Sequence, residues 1–409
     1  MMKHLMFVCS LFCLLPLRAA TWHVGAGQPF ATPQEAVSKA ASGDTVLVHG
    51  GTYAAGNLAI EKPLTLLGLD YPVLDGQHNC EIITVTASDV RISGFELRNS
   101  GQLSTLDIAG VKVLSADRVV VENCRLRDCN FGIYLSNTND CRVSGNDVQG
   151  ILKEEQNSGN GIHLWKCARA LVENNYLSGQ RDGIYFEFVS DSEIRGNNSE
   201  RNLRYGLHFM FSHNDSYTHN TFVRNGAGVA VMYTRNVTMR HNTFSENTGG
   251  AAYGILLKDI QSSHISDNVF LKNTAAIFME GCTRSVLERN EFRQNGWAIK
   301  VQASCDGNTF QNNNFFANTF DVSTNNQLVL NTFDNNYWDK YEGYDLNRDQ
   351  IGDVPYRPVS LFAMVSDQMP YAMMFWRSFT VLLLDRAEKV IPSLTPENLR
   401  DDSPAMKLI

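Results

Sequence analysis

The chain has 409 residues, 43% of them hydrophobic and 19% charged, with a formal charge of −8. A chain this acidic, with no run of lysine or arginine, is excluded as one that holds a nucleic-acid backbone by non-specific attraction. Its size and apolar content fit a large globular domain with a substantial core.

Residues Met1 to Ala20 carry one early cation, Lys3, an apolar run from Leu5 to Leu17, and small residues at Ala19 and Ala20. That layout predicts a secretory signal peptide over 1–20, too short for a spanning helix. Arg18 precedes the two alanines, so the cut is placed only between Ala19 and Thr21. No later stretch reaches about 18 apolar residues, so the exported chain is expected to be soluble or peripheral to a membrane. Losing Lys3 and Arg18 takes the charge from −8 to −10. Cys9 and Cys13 leave with the leader, and the seven others (Cys80, Cys124, Cys129, Cys141, Cys167, Cys282, Cys305) are odd in number with no CxxC spacing. They predict small buried fillers rather than a disulfide framework or a zinc site, with one or two bridges left open.

Thr32, Pro33 and Glu35, followed by Ala36, Val37 and Ala40, read as a short helix with a capping box. It is expected to close the N-terminal mouth of a core whose first strands start near Asp44 and Leu64. This opening resembles the pectate-lyase-like β-helix superfamily, which implies binding or cleavage of polysaccharides.

The middle of the chain repeats. An asparagine followed two residues on by an apolar residue occurs at Asn146, Asn175, Asn220, Asn242, Asn268, Asn290, Asn308 and Asn331. Asn197 fits with Ser199 in the apolar slot, and Cys124 takes the asparagine's place in the first coil. Intervals from Cys124 are 22, 29, 22, 23, 22, 26, 22, 18 and 23. A second segment keeps the same beat from Gly132 through Gly161, Gly183, Gly206, Gly228 and Gly254 to Ala276 and Ala298. Such short alternating runs with Asn and Gly turns are too brief for helix pairs and predict an all-β fold. The expected architecture is a right-handed parallel β-helix of about ten coils over 21–335, stacked about 4.8 Å apart, with the asparagines as an internal ladder. Residues 336–360 then form an acidic loop region that closes the helix, and 361–409 a helical and extended tail, broken by Pro392 and Pro396, for capping or docking.

Three stretches are more specific than the repeat: Tyr205 to His213 (YGLHFMFSH), Asn336 to Pro358 (NYWDKYEGYDLNRDQIGDVPYRP), and Arg377 to Glu397. Together they resemble the NosD family, over the whole exported chain. The resemblance implies a periplasmic, non-enzymatic partner of an ABC transporter, built of permease and ATPase subunits, associated with the inner membrane through it. It further implies copper received from a lipoprotein chaperone and passed toward the copper–sulfur cluster of nitrous oxide reductase. No phosphate-binding glycine loop occurs, so ATP hydrolysis is expected in the partner.

With the repeat glycine as position zero, positions one and three are steadily apolar and should face inward, so positions two and four face out. That gathers His208, Met210 and Met232 on one outer face, with His213 at the following turn. Imidazole and thioether suit Cu(I), and the lack of a thiolate fits transient delivery; a methionine docking surface is the alternative. His219 over His241 could share a second metal or simply line the turn.

Asp345, Asn347, Asp349 and Asp353 resemble the start of a calcium loop. The terminal glutamate is missing and Gln350 stands where glycine is usual, so Ca²⁺ there would be structural, with a plain Asx turn as the alternative. In the tail, Met373, Phe375, Trp376, Phe379 and Leu382 are too few and too interrupted by Arg377 to span a bilayer; the family resemblance favours docking on the transporter. A polysaccharide lyase or epimerase using Asp182, Tyr185, Glu187 and His208 is the rival function, and a pure scaffold the third.

Overall fold

The computed structural model describes residues 19–409 except 104–105, 152–153, 156–157, 326–329, 391–394 and 397–398. The expected leader, but for its last two residues, lies outside the described residues, as does Pro392.

Among the described residues the strands form three parallel sheets of 14, 12 and 13 strands, each strand pairing only with its equivalents in the neighbouring coils. The result is a right-handed parallel β-helix of about thirteen coils. The expected ten is therefore too low. The asparagine marker begins at Cys124, whereas earlier coils, starting with Thr21–Val24 against Thr45–Val48, are held by apolar packing and carry no marker. The N-terminal helix α1 (Pro33–Lys39) has the predicted capping box between Thr32 and Glu35 and buries Ala36 and Val37. All seven described cysteines are unbridged, and six are buried.

Each coil has two strands of mostly three residues and one of mostly six, the latter forming the 12-stranded sheet. Inward positions hold stacked rings, such as Phe222, Phe244, Phe270, Phe292, Phe315 and Trp338 at centroid spacings of 4.0–5.4 Å. The repeat glycines sit where the next coil crowds the backbone: a Cβ on Gly206 would lie 2.7 Å from the carbonyl oxygen of Gly228.

The asparagine ladder is present. Asn242 shows its bonding: its amide oxygen accepts from the backbone N and Nδ2 of Asn220 at 2.9 and 3.1 Å, and its Nδ2 donates to Tyr217 O and Asn268 Oδ1, both at 3.0 Å. Its course differs from the sequence reading at the C-terminal end. After Asn290 the ladder runs to Asn313 and Asn336, at intervals of 23, and ends on Asp401, whose carboxylate accepts from Asn336 and from Trp338 Nε1. Asn308 and Asn331 belong to a different column, above Ser285. The anomalous interval of 18 marked a slip between columns, because Asn-Thr-Phe occurs in both. A second full ladder, Asn202, Asn225, Asn247, Asn273, Asn295 and Asn318, went unread.

The mixed column has one defect. Asp215 accepts from Ser192 N through Oδ1, but Val237 follows it in the next coil, and Oδ2 has no partner among the described residues. Burial pushes its carboxyl up to about 8, against the lowering effect of the Ser192 N–H.

Two outcomes follow from these ladders. Asn242→Ala strands donors on Asn220 and the carbonyl of Tyr217; at about 1–3 kcal/mol per stranded group, urea unfolding should show a loss of about 3 kcal/mol or more. An unchanged midpoint would mean the ladder adds nothing. For Asp215 the folded pKa lies above the unfolded value of about 3.9, so its contribution to stability is present at low pH and declines as pH rises from about 4 toward 8. Asp215→Asn should therefore melt higher than the wild type at pH 8, by about 2–4 °C for each kcal/mol gained, and the difference should shrink toward pH 4.

Candidate functional site

The outer face of the long-strand sheet carries the expected residues in the expected register. Asp182–Glu187, Tyr205–Met210 and Ala227–Met232 are adjacent strands, pairing Tyr185 with His208, Glu187 with Met210, and Met210 with Met232. Ile184, Phe186, Leu207, Phe209, Val229 and Val231 face inward and are fully buried.

His208 is outward but not exposed. Rings form a continuous row across the coils: Tyr134 on His163, His163 on Tyr185, and Tyr185 on His208, with centroids 4.7–4.9 Å apart. Tyr205 adds a second ring at 4.8 Å, so His208 keeps only 4% of its surface. Beneath it lies Asp182, wholly buried, held by Arg204 at 2.6 and 2.9 Å and by the backbone N–H of Tyr205 at 3.2 Å. Burial alone would raise this carboxyl, but His208 and Arg204 outweigh it and hold Asp182 below the usual range. His208 Nδ1 stands 3.6 Å from Asp182 and 3.4 Å from Arg204, so the guanidinium is the firmer brace. His163, with Asn160 at 3.1 Å, is kept neutral by burial and the charge of Arg181, its pKa lowered to about 3.

The consequence falls on the far nitrogen. His208 Nε2 is buried without a hydrogen-bond partner among the described residues. Arg204 can only donate, so while it holds Nδ1 the proton sits on Nε2; moving that proton to Nδ1, toward Asp182 at 3.6 Å, would free the Nε2 lone pair, the tautomer of a metal-ligating histidine with an outer-shell acid. Tyr185 Oη donates to Met210 Sδ at 3.5 Å and aims that thioether within the same facet; burial raises the Tyr185 phenol to about 12, so it keeps its proton. Among the described residues no three His, Cys, Asp or Glu side chains group as metal ligands. A metal here would rest on one imidazole and two thioethers, a donor set that fits soft Cu(I).

Other expected residues lie elsewhere. His213 sits past the Phe211 turn on the neighbouring facet, bridging Ser190, and burial and Arg235 hold its imidazole below the usual range. His219 and His241 stack at 4.9 Å, both exposed in left-handed turn positions just before a ladder asparagine. In the acidic loop the carboxylates turn inward on the backbone: Asp345 accepts from Arg348, Asp349 and Gln350, and Asp353 accepts from Leu346.

The tail forms α2 (Leu361–Gln368), a 3₁₀ turn (Pro370–Phe375) and α3 (Phe379–Val390). It packs on the same facet as His208, at its C-terminal end. Lys300 pairs with Asp367, and Phe320, Phe362, Ala363 and Val381 make a small core. Of the expected docking residues, Phe375, Phe379 and Leu382 are exposed, while Met373 packs against that core and Trp376 stacks on Phe362 at 5.9 Å. Tyr371 and Met374, in the same apolar stretch but not among the named docking residues, are at 85% and 86% exposure the most open apolar residues of the segment. Sequence reasoning missed a ladder of exposed rings, Phe188, Phe211 and Tyr233, stacked 5.3 and 5.0 Å apart beside Met210 and Met232. All three have φ of 49–56°, uncommon for bulky residues. Carrying the glycine register one position further would have found them.

Residues 150–347 match the family described as periplasmic copper-binding protein (NosD). The chain is 28% identical to the probable ABC transporter binding protein NosD of Stutzerimonas stutzeri, over 86% of this chain and 85% of the relative. It is 29% identical to the protein of the same name in Pseudomonas aeruginosa, over 92% of each. The catalytic unit of an α-1,3-glucanase from Streptomyces thermodiastaticus shares the fold, with a TM-score of 0.62 at 15% identity over 75% of this chain and 65% of that one. No helix among the described residues is long and apolar enough to cross a membrane.

Proposed function

We propose, from the premise that this chain belongs to the NosD family, that it relays copper in the periplasm without catalysing a reaction. In this reading it takes Cu(I) as transient cargo from a lipoprotein chaperone and works with the permease and ATPase of an ABC transporter at the inner membrane. It delivers toward nitrous oxide reductase and supports assembly of its copper–sulfur cluster. The observation that carries the reading is the buried, unpartnered Nε2 of His208 on the facet of Met210 and Met232. A soft ion exchanges readily from nitrogen and thioether donors, which suits hand-over. His213, on the next facet, is a second stop rather than a fourth ligand. The tail presents Phe375, Phe379 and Leu382, with Tyr371 and Met374, to the transporter.

The residues that could serve a lyase are otherwise engaged. Asp182 is buried under Arg204, Tyr185 keeps its proton and His208 is 4% exposed, which leaves Glu187 as the one partly exposed carboxylate of that group. The acidic loop reads as a self-closed Asx turn, its carboxylates already taken by backbone N–H groups; neither calcium there nor a metal on His219 and His241 is part of the proposal.

Anaerobic titration of Cu(I) against a competing chelator tests the relay. The wild type should bind one ion, and the double variant Met210→Ala/Met232→Ala should bind at least tenfold more weakly while keeping its melting temperature within a few degrees. Equal, weak binding by both would leave the solenoid a scaffold. Ultraviolet absorbance from an unsaturated uronide on incubation with polyuronates would instead establish the enzyme.

A further inference from the structure

Between the last coil and the C-terminal helices lies a cavity of about 320 Å³ that the copper reading does not use. Its floor is Asp321, on the long strand Phe320–Ser323, with 2% of its surface exposed. One carboxylate oxygen, Oδ2, accepts from Lys340 Nζ at 3.2 Å and lies 3.5 Å from Tyr356 Oη. The other, Oδ1, is buried and has no partner among the described residues. A buried carboxylate oxygen without a donor is costly, and a ligand that supplies an N–H recovers that cost. Burial raises the Asp321 carboxyl to about 6, with Lys340 opposing.

The walls select the sign of the ligand. Asp321, Glu342 and Glu388 face the cavity against Lys340 and Arg357, three acids to two bases, for a net charge of −1. Phe320, Tyr356 and Trp376 supply rings, and Trp376 is fixed by edge contact with Phe320 at 5.1 Å. An anion meets excess negative charge. A neutral alcohol can satisfy Oδ1 but gains nothing from the charge or from the ring faces. A cation with N–H donors gains from all three.

We propose that this cavity binds an organic cation, an alkylammonium or guanidinium group, donating to Asp321 Oδ1 among the rings of Phe320, Tyr356 and Trp376. The group can come from a free amine or from a lysine or arginine of a protein docked on the helices above. The site is independent of the copper relay: it lies at the C-terminal end of the same sheet and shares no residue with the group of His208, Met210 and Met232.

Calorimetric titration of the full chain decides it, using n-butylammonium, Nα-acetyl-lysine amide, Nα-acetyl-arginine amide and, as the uncharged isostere, n-butanol. At least one cation should bind saturably at one per chain, at least tenfold more tightly than n-butanol, and Asp321→Asn should weaken it at least tenfold. Tighter binding of the capped amino acids than of butylammonium would assign the site to a protein side chain, and the reverse order to a free amine. Failure of all three cations to saturate, or n-butanol binding as tightly, would overturn the proposal. Should Asp321→Asn not fold, as judged by circular dichroism, the difference between cation and alcohol in the wild type carries the test.

Discussion

The amide of a buried asparagine, accepting two hydrogen bonds from the coil before it and donating to that coil and to the next, is the interaction on which the solenoid's register depends. Asn146 to Asn336 make this bond in every coil of their column, and Asp401 ends it with a carboxylate that takes the last two donors. A coil slipped by one residue would strand four polar contacts in the core, at about 1–3 kcal/mol for each group left without a partner. Where the two columns run side by side, from Asn202 to Asn318, chain can be added without breaking either in the turn between the second ladder and the long strand. In sequence, the extra residues of the 29- and 26-residue intervals lie between Gly150 and Gly159 and between Asn247 and Ala252. Loop variation is thereby confined to one rim of the facet that holds His208.

How much of this was legible follows from period. Inward and outward positions alternate by two, so the core and the alignment of His208, Met210 and Met232 could be read from the glycine beat alone. Burial of the outward row could not. Arg204 and Asp182 are 22 residues apart, and in sequence they look like any pair of surface charges; only the coil closure stacks one on the other. Of the early coils the strands near Asp44 and Leu64 could be read but the coils could not be counted, because Val, Leu and Ile fill their inner positions without an asparagine to mark the turn. The slip at Asn308 had a different cause, since two columns share the same tripeptide, and a tripeptide carries no information about which turn it occupies. In the tail, α2 has eight residues and the 3₁₀ turn six, too few for an apolar stripe to show its direction, so Met373 and Met374 could not be sorted into packed and exposed.

Fold and function separate at this facet. The glucanase likeness rests on the coil geometry and extends no further than the fold. The outer row of this chain is filled by rings from Tyr134 to Tyr205, a carboxylate buried beneath a guanidinium, and the thioethers of Met210 and Met232 beside Glu187. Its buried imidazole nitrogen, His208 Nε2, has no hydrogen-bond partner among the described residues and shares the facet with Met210 and Met232.

The position of the helices then becomes physically meaningful. They do not hang from the end of the solenoid; the chain returns at Asp401 and Ala405 to pair with the last coil, so the helical segment is an excursion anchored at both ends. Its inner side is fixed through Lys300, Phe320 and Phe362 on the facet that, several coils away, carries Met232. A partner seated on Tyr371, Met374 and Phe379 would therefore stand over the same straight face as the thioethers, about 4.8 Å of rise per coil from them. On a solenoid, distance along that face is set by counting coils, so the exposed side chains of the helical segment and the thioethers are held in line at a fixed separation.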